Sequence, residues 1–218
     1  MIDQERIDAY LDSLDRGNTE FLNSLEEYAI STRVPIIRRP TQNLIRFLLA
    51  MNKPVSILEV GTAIGFSAIL MAQYSPDDAH ITTIEKYEKR IPLARENFDK
   101  SGFADKITLI EGDAADVLNE LQGKGETYDM IFMDAAKGQY MSFLELIKKM
   151  MKEGSLLISD NVLQDGDIIE SRFAVTRRNR TIHSRMREYL YSLTHDDDFV
   201  TDILPVGDGV ALSVKKEA

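Results

Sequence analysis

The sequence contains no cysteine, which excludes disulfides, thiolate catalysis and cysteine-based zinc sites. Its three histidines, His80, His183 and His195, are widely scattered, so a histidine-rich metal site is not expected. No apolar run approaches the roughly 18 residues of a membrane span. The first residues, Met1-Ile2-Asp3-Gln4-Glu5-Arg6, lack the basic-then-apolar order of a secretory leader. These absences point to a cytoplasmic protein with no membrane partner. Positive charge is in deficit too: 26 Lys and Arg against 36 Asp and Glu give a net −10. That balance argues against indiscriminate nucleic-acid binding through total charge, while leaving room for a local basic face.

What is present suits a globular chain. At 218 residues the simplest organisation is one domain with one core. Residues 1–52 read as helices preceding a core of residues 53–218. Ile7, Tyr10, Leu11 and Leu14 recur at helical spacing, as do Phe21, Leu22, Leu25, Tyr28 and Ala29. Gly17-Asn18-Thr19 separates the two runs, with Thr19 a plausible N-cap. Arg33 to Pro40 carries two prolines and cannot be regular helix. A third helix follows, with Leu44, Phe47, Leu48 and Met51 as its apolar face.

From Val55 onward strand and helix alternate. The apolar runs Val55–Val60, His80–Glu85, Lys106–Ile110, Met130–Met133 and Leu156–Ser159 read as strands. Helical spacings lie between them, such as Ile91, Ala94 and Phe98, or Leu144, Ile147 and Met151. This predicts a doubly wound, mostly parallel α/β sheet with its ligand-binding loops on one edge. Phe199–Leu204 and Val210–Val214, joined by the loop Pro205–Gly209, predict an antiparallel hairpin at the end of a seven-stranded sheet.

The first strand runs into Ile57-Leu58-Glu59-Val60-Gly61-Thr62-Ala63-Ile64-Gly65-Phe66-Ser67, a strand–turn–helix pocket for a nucleotide. Gly61 and Gly65 allow a tight turn and a close approach to a ligand. A dinucleotide site would want G-x-G-x-x-G, and here the middle glycine is missing. S-adenosylmethionine, which has no phosphate, tolerates the wider turn. Glu85, ending the second strand, can accept from ribose hydroxyls in either case. After the third strand, Asp113 can accept from an adenine amino group with Ala114 packed beside it; Asp113 can equally be an N-cap. Taken in order along successive strands, these residues resemble the class I S-adenosylmethionine-dependent methyltransferases, Rossmann-like in fold. That resemblance assigns Glu59, Gly61, Thr62, Ser67, Glu85, Asp113 and Ala114 to the cofactor site.

The fourth and fifth strands end in Asp134 and in Asp160-Asn161. Three hard oxygen ligands without histidine or thiolate suit Mg²⁺ or Ca²⁺, although each residue could also serve as a cap or a cofactor contact. The set resembles the metal-dependent O-methyltransferases of the catechol and caffeoyl-CoA type. The resemblance implies that Asp134, Asp160 and Asn161 hold a divalent cation such as Mg²⁺ and that Asp134 also touches the cofactor. It implies that Lys137 is the base, that Ile37 lines the cofactor site, and that the chain is a homodimer built with its N-terminal helices. The acceptor would present two oxygens on adjacent carbons, as catechols and 5-hydroxyuracil do.

Segment 168–191 holds Arg172, Arg177, Arg178, Arg180, Arg185 and Arg187, and Arg33, Arg38 and Arg39 form a second cluster. Scattered arginines often mean a solvated helix face, yet a basic patch beside the pocket is also what a phosphate backbone needs. The run from Arg177 to Arg187 resembles the bacterial tRNA 5-hydroxyuridine methyltransferase branch of the family. This implies a tRNA anticodon loop as partner and 5-methoxyuridine as product, with Arg38, Arg39, Arg177, Arg178, Arg180 and Arg185 on the RNA. A small catechol-like or caffeoyl-CoA-like acceptor is the alternative. A non-catalytic nucleotide-binding or dimerisation module would be expected to have lost the metal-ligand triad, which is intact.

Overall fold

A computed structural model describes residues 4–217; Met1–Asp3, part of the stretch read for a leader, and Ala218 lie outside the described residues. Three helices come first, α1 (Gln4–Leu14), α2 (Glu20–Thr32) and α3 (Arg39–Asn52). Pro40 sits in the first turn of α3, where its missing N–H costs nothing. Thr19 stands at the N-cap position of α2, but its hydroxyl makes no cap bond and meets Gln73 Oε1 at 3.2 Å instead.

The core then alternates β1 (Ser56–Val60), α4 (Phe66–Tyr74), β2 (His80–Glu85), α5 (Ile91–Ser101), β3 (Ile107–Glu111), α6 (Ala114–Gly123), β4 (Tyr128–Met133), α7 (Tyr140–Met150) and β5 (Met151–Ser159). It closes with α8 (Arg180–Thr194), β6 (Phe199–Leu204) and β7 (Val210–Lys215). The seven strands lie in the order β3-β2-β1-β4-β5-β7-β6. The first five pair in parallel, and β7 runs antiparallel to both β5 and β6. Apolar side chains pack on both faces, one cluster joining α2, α3 and α4 to the sheet and the other joining α6, α7 and α8. Burial on both faces is why the central strands read as continuous apolar runs.

One expectation changes. Met151 fits the helical spacing with Leu144 and Ile147, and its N–H does bond Ile147, yet its backbone is extended at φ −83°, ψ 130° and opens β5 opposite Tyr128. The polar Lys152-Glu153-Gly154 hid the start of that strand. Within the arginine-rich segment, helix begins only at Arg180; Gln164–Ile169 is a 3₁₀ turn. No helix among the described residues is long and apolar enough to cross a membrane.

Candidate active site

Strand β1 delivers the chain into the glycine turn, and both glycines are demanded by protein neighbours as well as by the turn. Gly61 has φ 110°, and a Cβ there would overlap the Asp134 carbonyl. Gly65 has φ 87°, and its Cβ would run into the ring of Phe98. The close approach expected toward a ligand is thus in the first instance an approach to the end of β4 and to α5. Beyond the turn, a cavity of about 430 Å³ opens at the carboxyl ends of the strands, within the ordinary range for small-molecule sites. Ile37, Gly61, Thr62, Ser67, Glu85, Asp113, Ala114, Asp134, Lys137 and Asn161 all line it. Pro35, Ile36, Lys86, Arg90, Gln139 and Phe143 line it too, without any motif in the sequence to single them out.

The acids on the donor side are held by the chain itself. Glu85 Oε1 accepts from the backbone N–H groups of Lys86 (2.9 Å) and Tyr87 (2.8 Å), and Oε2 from that of Ala63 (2.8 Å). Three such bonds leave about one of a carboxylate's four lone-pair directions for a ligand. Ala63 adopts φ 49°, the strained conformation that aims its N–H at Glu85. Asp113 caps α6 through Ala115 N–H at 3.0 Å and pairs with Lys86 Nζ at 3.1 Å. Those two contacts, the cap first, hold its carboxyl below the usual range.

Glu59 does not line the cavity. It is fully buried behind the turn, where its carboxylate accepts from Thr83 Oγ1, itself 2.6 Å from Thr62 Oγ1. Burial pushes the Glu59 carboxyl up to about 7; the Asp134 and Glu85 charges add to the rise, and the Ser67 and Thr83 hydroxyls oppose it.

On the acceptor side, Asp134 and Asp160 follow adjacent strands. Their backbone N–H groups bond Val60 and Met133, each at 3.0 Å, extending the ladders past the strand ends. Lys137 Nζ lies between them, donating to Asp134 Oδ1 (3.0 Å), to Tyr140 Oη (3.0 Å) and to the Asp160 carbonyl (3.4 Å). Tyr140 was not legible as a site residue, because its ring belongs to the apolar face of α7. Its hydroxyl reaches the Met133 and Asp160 carbonyls, both at 3.1 Å. Burial, with the Asp134 and Asp160 charges behind it, raises its pKa well above the ordinary value, so it remains a donor.

Asp160 is 2% exposed, and its Oδ1 is buried without a hydrogen-bond partner. Burial and then the Asp134 charge push its carboxyl up to about 7. Asn161 holds φ 61°, a left-handed conformation that asparagine tolerates better than most residues, and its Nδ2 lies 3.5 Å from Asp160 Oδ2. An orphaned carboxylate oxygen, a second carboxylate and an amide at adjacent strand ends fit a divalent cation. Among the described residues no three His, Cys, Asp or Glu side chains gather as a metal-binding group, so a cation here would depend on Asn161 or on oxygens from the acceptor and water.

The loop carrying Asn161 is clasped by the final hairpin: Val162 and Leu163 N–H bond the Gly209 and Asp208 carbonyls, each at 2.9 Å. Arg38 pairs with Asp208 at 2.5 Å, tying the segment before α3 to the same loop. Arg39 is engaged by Glu26 at 2.6 Å and Asp15 at 3.6 Å. The second cluster differs. Arg177 and Arg178 are exposed, and neither they nor Arg180 nor Arg185 forms an ion pair among the described residues. Arg180 lies over the exposed Phe173 ring at 5.8 Å, and Arg185 donates to the Gly138 carbonyl at 3.0 Å.

The sheet order with its reversed seventh strand, and a cavity over the strand ends, define a class I methyltransferase. Within that class, residues 12–216 match the model of the O-methyltransferase family, and the chain belongs to it. Catechol O-methyltransferase of Niastella koreensis is 30% identical over 169 residues, covering 76% of each protein. A Staphylococcus aureus structure, provisionally named as a caffeoyl-CoA O-methyltransferase, is 35% identical with a TM-score of 0.85, covering 97% of this chain and 98% of that one. The S-adenosylhomocysteine-bound methyltransferase PaMTH1 of Podospora anserina is 28% identical with a TM-score of 0.85, over 98% of this chain and 95% of its own.

Proposed function

We propose that this chain transfers a methyl group from S-adenosylmethionine to one of two neighbouring acceptor oxygens, with a divalent cation at the acceptor side. The observation that carries the reading is the set Asp134, Lys137, Tyr140 and Asp160, linked around the lysine ammonium at the ends of β4 and β5, with Asp134 and Lys137 lining the same cavity as the glycine turn. The cation would supply positive charge against the paired acceptor oxygens and favour loss of a hydroxyl proton. Asp134, Asp160 and Asn161 are the residues that would hold it. Lys137, fixed by Asp134 and Tyr140, stands where it can take that proton once its own has left. Glu85 and the backbone of the glycine turn would orient the donor's ribose, and Ile37 and Phe143 would exclude water.

For the acceptor, the names of the relatives favour most directly a small molecule of the catechol or caffeoyl-CoA kind. The arginine face supports a second reading, 5-hydroxyuridine in a tRNA anticodon loop. Arg177, Arg178 and Arg180 lack acidic partners among the described residues; the first two lie in the turn before α8 and Arg180 opens that helix, which meets the lysine turn through Arg185. Guanidinium groups without acidic partners are suited to the phosphates that flank an extruded base.

One experiment separates the two: the purified chain with labelled S-adenosylmethionine and Mg²⁺, given either catechol or an anticodon stem-loop bearing 5-hydroxyuridine. Replacing Arg177, Arg178 and Arg180 together by alanine should leave transfer to catechol unchanged. Transfer to the RNA should weaken, and its dependence on salt should become shallower by about one log unit per lost phosphate contact. An equal rate on RNA at every salt concentration would sink the tRNA reading, and no transfer to either acceptor would sink both.

A further inference from the structure

We infer that Arg185 is a positioning residue for Lys137, holding from behind the turn on which the lysine rides; this rests on Lys137 belonging to the methyl-transfer site. The turn, Lys137–Gln139, is a single 3₁₀ turn closed by the Gln139 N–H to Ala136 carbonyl bond at 2.8 Å. So short an element has little rigidity of its own. On the cavity side it is tied by the Lys137 ammonium, and at its end by Tyr140. On the outer side Arg185 Nη1 donates to the Gly138 carbonyl at 3.0 Å across 47 positions of sequence.

Three features make this contact more than a surface arginine finding a carbonyl. Residue 138 is a glycine although its φ is outside the left-handed region; a Cβ there would stand 3.1 Å from Arg185 Nη1, so the missing side chain makes room for the guanidinium. The donor also comes from a fixed support. Tyr189, one turn further along the same face of α8, is fully buried, lies 2.6 Å from Ser159 Oγ and meets the Tyr140 ring edge-on at 5.2 Å. One stripe of α8 therefore touches both the lysine turn and the residue preceding Asp160. Lastly, Arg185 forms no ion pair among the described residues, so its charge-assisted bond goes to backbone.

The test pairs kinetics with amide hydrogen exchange, using whichever of catechol or the 5-hydroxyuridine stem-loop is methylated, at saturating concentration. Arg185→Ala should lower kcat roughly ten- to a hundredfold with the KM for S-adenosylmethionine little changed, the scale on which small misplacements act. Arg185→Lys should recover part of the loss, and Gly138→Ala, which crowds the guanidinium without straining the backbone, should reproduce part of it. In a Lys137→Ala background, Arg185→Ala should have no further effect, since the residue it positions is gone. Without donor or acceptor, exchange in segment 134–143 should accelerate in Arg185→Ala while the β6–β7 hairpin is unaffected. Unchanged exchange in that segment overturns the inference. So does the same fold loss with and without Lys137, or an effect confined to the KM for RNA. If the unmodified chain methylates neither acceptor, the functional reading falls, and the exchange measurement still decides whether Arg185 holds the turn.

Discussion

Replacing Glu59 by glutamine should stabilise the protein at alkaline pH and leave it nearly unchanged in mild acid. The carboxyl is fully buried, and its pKa rises from 4.5 to about 7 on folding. A folded pKa above the unfolded one means the folded state holds the extra proton. Stability is therefore fully present below about pH 4.5 and is lost as pH rises through about 7. The rise corresponds to about 3 kcal/mol between the two limits. Glutamine keeps an acceptor for Thr83 Oγ1, removes the charge at all pH values, and costs about 1 kcal/mol for burying its amide N–H₂ group. The net expectation at pH 8.5 is a gain of about 2 kcal/mol, and at pH 5 a small loss. For a chain of this length that gain raises the melting temperature by roughly 4–8 °C. Urea denaturation of both proteins from pH 5 to 8.5, without ligands, measures the difference. Parallel stability curves for Glu59→Gln and the parent across that range would refute the argument, because the pH dependence would then belong to other groups.

Three further outcomes follow from the geometry. Asp160→Ala should cut methyl transfer at least about a hundredfold, since the proposed cation would lose a hard oxygen ligand, while S-adenosylmethionine affinity by calorimetry stays within about threefold; an affinity that fell with the rate would move Asp160 to the donor side. Gly61→Ala should destabilise by at least about 3 kcal/mol, because its Cβ would meet the Asp134 carbonyl at φ 110°, and circular dichroism during urea titration reads this directly. Tyr10, Leu11 and Leu14 are 65%, 56% and 60% exposed on α1, and we expect a second copy to cover them. Leu11→Glu with Leu14→Glu should then sediment at half the parent's mass, and an unchanged mass would refute that dimer.

The sheet was readable because its parallel strands are buried on both faces and bounded by turns, so Ile57–Val60 and Met130–Met133 stand out as apolar runs. The residues at the strand ends were readable because charge is costly there and its positions recur strand after strand. What stayed hidden depends on partners distant in sequence. Glu59 looks like its neighbours Glu85 and Asp113 in the chain, and only packing puts it behind the turn. Tyr140 and Tyr189 look like core aromatics, which they are; their hydroxyls matter because of where α7 and α8 dock. Arg38 and Arg39 resemble Arg177 and Arg178 in sequence, but Asp208, Glu26 and Asp15, far apart in the chain, engage the first pair. Met151 reads as helix by spacing alone, since its backbone bond to Ile147 continues the pattern up to the point where the strand starts.

The clasp of residues 162–163 by the hairpin loop at 208–209 sets an order of completion during synthesis. The donor half, from Gly61 to Asp113, rests on β1 to β4 and on Asp134, all made before the loop that carries Asn161. The acceptor half does not: Asn161 sits in its left-handed kink against a loop translated more than forty residues later, and β5 lacks its outer neighbour until β7 has emerged. A nascent or truncated chain ending before residue 205 would thus carry a formed donor pocket beside an unfinished acceptor site. On the proposed site, methyl transfer would wait for the last hairpin to close.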